Sequence, residues 1–140
     1  MSLKSTSRDE ISKRIVVART RGKDARCEGI SPAAQFTLAY DAVRVWCEVV
    51  LRSQGIRIGA VPGHHEKTIN EAARILGIDS QPIMKILDRA RKNRNIVEYE
   101  AGIETITASD VERLLENLDT LQNIVTDWLR QNHPDLLPLL

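Results

Sequence analysis

Arg91, Arg94, Asn95 and Tyr99 follow one another at steps of three, one and four in the run Asp88-Arg89-Ala90-Arg91-Lys92-Asn93-Arg94-Asn95-Ile96-Val97-Glu98-Tyr99-Glu100. On a helix, positions 91, 94/95 and 98/99 share one face. Two guanidinium groups beside an amide and a phenol suit a phosphate and a base. Arginine offers a fork of donors, asparagine a donor with an acceptor, and tyrosine a ring on which a base can stack. The plain alternative is a solvated basic helix end, where the dipole favours cations.

Other residues with chemical potential are more scattered. His64-His65-Glu66 invites a metal, but adjacent histidines on a helix point about 100° apart. No further His or Cys stands at the usual ligand spacing, so neither a metal nor another cofactor is expected. A histidine at a helix start caps the helix or lines a groove, and His64 is placed to approach the Arg94 face in a folded bundle. Tyr40-Asp41 reads most simply as a core tyrosine beside a surface carboxylate. Trp46 and Trp128 read as core or dimer-interface residues. No Walker loop, glycine-rich dinucleotide motif or nucleophile elbow occurs.

The elements that must position these residues are helical. Residues from about 8 to 26 form a basic candidate helix with Ile11, Ile15 and Ala18 on one side. Ser31 and Pro32 read as an N-cap followed by a first-turn proline. Phe36, Tyr40, Val43, Cys47 and Val50 then recur at helical spacing and end near Gly55. Residues 55–63 read as a loop, with three glycines and a proline. A third helix runs from His64 to about Leu76 with Gly77 as its stop. Ser80-Gln81-Pro82 opens a fourth, striped by Ile83, Ile86, Leu87 and Ala90. In the last, Ser109 and Glu112 read as a capping box. Val111, Leu114, Leu115, Leu118, Leu121, Val125 and Trp128 follow on one face. The expected architecture is all-α: an up-and-down bundle of four main helices plus a basic N-terminal helix. Residues 1–30 read as the basic N-terminal extension, 31–132 as the bundle and 133–140 as an apolar tail that packs back on the bundle or helps bury a dimer surface.

Composition narrows the classes. The 140 residues are 42% hydrophobic and 28% charged with a formal net charge of +1, which excludes a uniformly basic nucleic-acid coat and a disordered acidic chain. The charge is nonetheless segregated. Residues 1–30 and 31–96 each carry +4 and residues 97–140 carry −7, a two-faced molecule or one that pairs internally. Cys27 and Cys47 make no disulfide framework, and Cys47 in its apolar stretch reads as a buried thiol. With no bilayer-length apolar run and no signal-peptide core at the N-terminus, a reducing cytoplasm and no membrane contact are expected.

Arg94-Asn95-Ile96-Val97-Glu98-Tyr99 resembles the signature of HEPN domains, in which an Arg and a following polar residue precede a His by a short spacer. The stretch from Ser31 to Gly55 (SPAAQFTLAYDAVRVWCEVVLRSQG), followed by the helix start Gly63-His64-His65, is also similar to small bacterial HEPN proteins. The resemblance covers residues from about 30 to 132. It implies a helical bundle closed by a long amphipathic helix. It also implies a homodimer that gathers the motif at its interface, and metal-independent cleavage of RNA through the 2′-hydroxyl in active members. By position, Arg94 would be the phosphate-binding arginine and Asn95 the polar residue after it. The histidine position falls on Tyr99, a departure: a phenol with a pKa of about 10 is a poor general base at neutral pH.

The expectation is therefore a HEPN-like module that recognises RNA, a nucleotide or a partner protein through Arg91, Arg94, Asn95 and His64. The family's frequent partner, a minimal nucleotidyltransferase in a toxin–antitoxin pair, would be its counterpart. One alternative is a metal-independent endoribonuclease using Arg94 with Tyr99 or His64. Another is a basic helical DNA-binding or scaffold protein that uses residues 1–30.

Overall fold

The computed structural model describes residues 2–3, 7–59, 63–89 and 106–136. Its helices are α1 (Arg8–Ala25), α2 (Pro32–Ser53), α3 (His64–Leu76), α4 (described over 81–89) and α5 (Ala108–Asn132). The all-α bundle expected from periodicity is the architecture observed.

Helix α2 sits at the centre. Phe36, Ala39, Ala42, Val43, Val45, Trp46, Cys47, Val49, Val50 and Leu51 are all buried. An apolar surface running most of the way round a helix needs neighbours on several sides, and α1, α3 and α5 supply them. Ser31 is the N-cap and its hydroxyl accepts from the Ala34 amide at 3.1 Å, with Pro32 in the first turn.

Helix α1 runs antiparallel to α2, because Glu10 meets Arg52 while Arg14 meets Glu48. It buries Ile11, Ile15, Ala18, Gly22 and Ala25, steps of four and three that draw one seam along the helix. At Gly22 the seam tightens, since a Cβ there would stand 3.4 Å from Leu118 of α5. The basic N-terminal helix thus shares the central core.

Helix α3 begins at Gly63 and stops at Gly77, whose φ angles of 76° and 72° lie in the left-handed region that favours glycine. Helix α4 follows Asp79, whose carboxylate accepts from the Gln81 amide at 2.9 Å, while the Ser80 hydroxyl donates to Asn70 of α3. Ile83 is buried, and Ile86 and Leu87 pack against the core.

Two details differ from the reading of the sequence. The capping box of α5 is Thr107 with Asp110, not Ser109 with Glu112: the Thr107 hydroxyl accepts from the Asp110 amide and the Asp110 carboxylate accepts from the Thr107 amide. Both pairs satisfy the same spacing rule. The earlier one prevails where Ile106 and Asp110 are buried, which draws the chain inward two residues sooner. Secondly, the expected loop between α2 and α3 contains a short strand, β2 (Ile56–Arg57), paired antiparallel with β1 (Ser2–Leu3) in the register Ser2↔Arg57 and Leu3↔Ile56. Two residues per strand carry no alternation, so periodicity could not register them.

Beyond α5, the ring of His133 lies 5.2 Å from that of Trp128, and Leu136 is buried in the core. The described part of the tail therefore packs back on the bundle. Both cysteines are free: Cys27 is exposed, whereas burial holds the Cys47 thiol protonated by raising its pKa to about 12.

Candidate functional site

Arg91, Arg94, Asn95 and Tyr99 lie outside the described residues. His64 is the one residue singled out for the site that the structure places. Arg89, at the described end of α4, approaches Asp110 at 3.6 Å, so the first cation of the basic run meets an acidic residue at the start of α5. Arg89 remains exposed while Asp110 is buried, which lets the helix N-terminus and the guanidinium share the Asp110 charge.

The described helices bring a different polar group together, and it is built on α2. Tyr40, Arg44, Glu48 and Arg52, with Asp41 beside Tyr40, form a half-buried polar ridge along this largely apolar helix, at steps of four. At one end of the ridge stands the first turn of α3. His65 meets Tyr40 edge-on with ring centroids 6.1 Å apart, and His64 meets His65 at 4.0 Å. Burial, then His64 and Arg44, lower the His65 pKa and favour its neutral ring. Burial also raises the Tyr40 pKa against the opposing pull of Arg44, so the phenol keeps its proton. Tyr40 is half-buried at this junction rather than enclosed in the core.

Along the rest of the ridge, α1 supplies the partners. Glu10 accepts from Arg52 at 2.9 Å and from Arg57 at 3.2 Å. Glu48 accepts from Arg44 at 2.6 Å. Arg14 lies between the two carboxylates, 3.8 Å from Glu10 and 3.6 Å from Glu48. Arg44 also approaches Asp41 at 3.8 Å. The ridge borders a groove of about 440 Å³ lined by Glu10, Lys13, Arg14, Val17, Arg44, Val45 and Glu48, a size within the usual range for small-molecule sites.

Reading along the sequence singled out Tyr40, Asp41, His64 and His65 but not the cluster they belong to. Its detectable signal was the four-residue spacing of polar side chains from Tyr40 to Arg52 inside an apolar helix. Its partners on α1 and β2 were undetectable, because the antiparallel packing of α1 on α2 alone brings them in.

Among the described residues, no group of three His, Cys, Asp or Glu side chains is placed to hold a metal ion, and no helix is long and apolar enough to cross a membrane. In comparisons with known proteins, no family model matches the chain, and no curated protein or solved structure is significantly similar to it.

Proposed function

We propose that the protein is a HEPN-like RNA-recognition module that binds a single-stranded segment through Arg91, Arg94, Asn95 and Tyr99. The observation that carries this reading is the run from Arg89 to Asn95, four cations and two asparagines within seven residues, followed by Tyr99. Arginine forks suit phosphate oxygens, and a phenol ring suits an unstacked base. The element order supports it: a basic helix, a long central helix, α3 and α4, and then an amphipathic helix of 25 residues.

On this reading the protein binds without rapid turnover, since Tyr99 occupies the place where an active member carries a proton-exchanging histidine. It works as a homodimer in a reducing cytoplasm, and a minimal nucleotidyltransferase is the candidate partner of a toxin–antitoxin pair. The competing DNA reading relied on residues 1–30 as a basic helical extension. It is weakened by α1, whose apolar seam lies in the core and whose Glu10 and Arg14 pair with Arg52 and Glu48 of α2, while Arg26 at its C-cap pairs with Asp119 of α5.

Competition separates the two readings. Single-stranded RNA should displace a labelled RNA probe at lower concentration than duplex DNA of equal length at the same ionic strength. Tyr99→Ala should lower that preference by removing a stacking surface worth about 1–3 kcal/mol per base. Equal competition by duplex DNA, unaffected by Tyr99→Ala, would refute the RNA reading.

A further inference from the structure

Helix α1 has two faces. Ile11, Ile15, Ala18, Gly22 and Ala25 turn to the core. On the other side, Asp9, Val16 and Lys23 stand at steps of seven and form a single line along the helix. All three are exposed, and Val16, at 62%, is the most exposed large apolar side chain among the described residues. Its neighbour Val17 is 41% exposed.

An exposed valine alone is ordinary protein surface. The charges on either side give this one a partner. An acid lies seven residues before Val16 and a base seven residues after it. A second α1 laid antiparallel, with a two-fold axis at Val16, sets Val16 against Val16 and the Asp9 of each copy against the Lys23 of the other. Parallel docking would instead set like charges together. The flanks agree with the antiparallel choice. At 100° per residue, Lys13 and Thr20 fall on one side of the line, and Ser12 and Arg19 on the other. Each cation then faces a hydroxyl of the second copy rather than another cation.

Both end charges are available. Lys23 has no ion-pair partner among the described residues. Asp9 pairs with Lys13, but both side chains are more than three-quarters exposed, and such a pair contributes little.

We propose that a second copy of this chain docks antiparallel on α1, with Val16 at the two-fold axis, Val17 at the edge and Asp9–Lys23 pairs at both ends. This supplies a face for the homodimer in the RNA reading, but it rests on α1 alone and not on the run from Arg91 to Tyr99. The line from Asp9 to Lys23 is about 21 Å long. That is short for an interface of the standard ~800 Å² per partner, so the dimer is expected to be weak, with a Kd in the micromolar range.

Sedimentation velocity of the full chain between about 10 and 500 µM should show a monomer–dimer equilibrium. Val16→Asp should leave a monomer throughout with an unchanged circular dichroism spectrum, because the position lies in solvent. Ile30→Asp, at an exposed apolar position outside α1, should leave the dimer intact. Asp9→Lys and Lys23→Asp should each weaken association about tenfold by placing like charges together, and the two changes in one chain should restore it. A monomeric wild type would overturn the proposal, and so would a dimer indifferent to Val16→Asp. Failure of the double change to restore association would overturn the antiparallel register. A monomer whose affinity for duplex DNA falls in Lys23→Asp would give the face to DNA and overturn self-docking. RNA affinity of Arg94→Ala is read separately, so failure of the RNA reading and failure of this interface are distinguishable.

Discussion

Trp46→Ala loses about 3–5 kcal/mol of folding stability, and thermal unfolding followed by far-UV circular dichroism drops by more than about 10 °C. Trp46 is 1% exposed, the largest of the fully buried side chains among the described residues, and sits on the helix that α1, α3 and α5 pack against. Removing the indole strips apolar contact area and leaves a cavity that close-packed neighbours fill only in part. A loss of that size is a large share of the 5–15 kcal/mol that typically separates folded from unfolded chains. Trp46→Phe should be far milder. The indole Nε1 is buried without an acceptor among the described residues, so the phenyl ring removes an unsatisfied donor along with part of the volume. Equal losses in the two variants would show that packing around Trp46 does not govern the core.

Glu10→Ala should cost about 1–3 kcal/mol, the range for removing a partner from charged hydrogen bonds, toward its lower end because the side chain is 25% exposed. One carboxylate takes hydrogen bonds from Arg52 at the end of α2 and Arg57 in β2, and it balances Arg14 within its own helix. Its removal leaves those arginines close together with fewer counter-charges. The variant should therefore regain stability as salt is added, through screening of the repulsion. Asp9→Ala is the natural control. Among the described residues Asp9 pairs only with Lys13, at 3.2 Å, and both side chains are more than three-quarters exposed. Chemical denaturation should separate the two variants clearly. If Asp9→Ala costs as much as Glu10→Ala, the network does not join α1, α2 and β2 as described.

These two sites mark where the sequence was informative and where it was silent. Trp46 read as a core or dimer-interface residue, and the core is where it lies; Ser31-Pro32 marked the start of its helix to the residue. Burial on nearly every side of α2 was not legible, because periodicity identifies one face and only the packing of three other helices defines the rest. The start of α5 was misplaced by two residues, because Thr107-Asp110 and Ser109-Glu112 obey the same local rule and tertiary burial chose between them. Glu10 carried no signal in the chain: its partners Arg52 and Arg57 are 42 and 47 residues away. Charge summed by segment showed a basic first half without showing which carboxylate organises it. His65 was weighed with His64 only as a metal ligand, because its contact with Tyr40 depends on how α3 packs against α2. The Arg91–Tyr99 constellation is the reverse case, legible through residue types and spacing and lying outside the described residues.

The measurement that tests the central claim most directly is RNA binding and integrity with purified wild-type protein and Arg94→Ala, without added metal. The RNA-recognition account predicts saturable wild-type binding, RNA that stays intact, and affinity at least about tenfold weaker in the variant, the scale of a lost arginine–phosphate contact. Equal affinity in the two proteins would contradict recognition through Arg94. Rapid cleavage by the wild type that disappears in Arg94→Ala would contradict the non-catalytic assignment and make the protein a ribonuclease despite Tyr99.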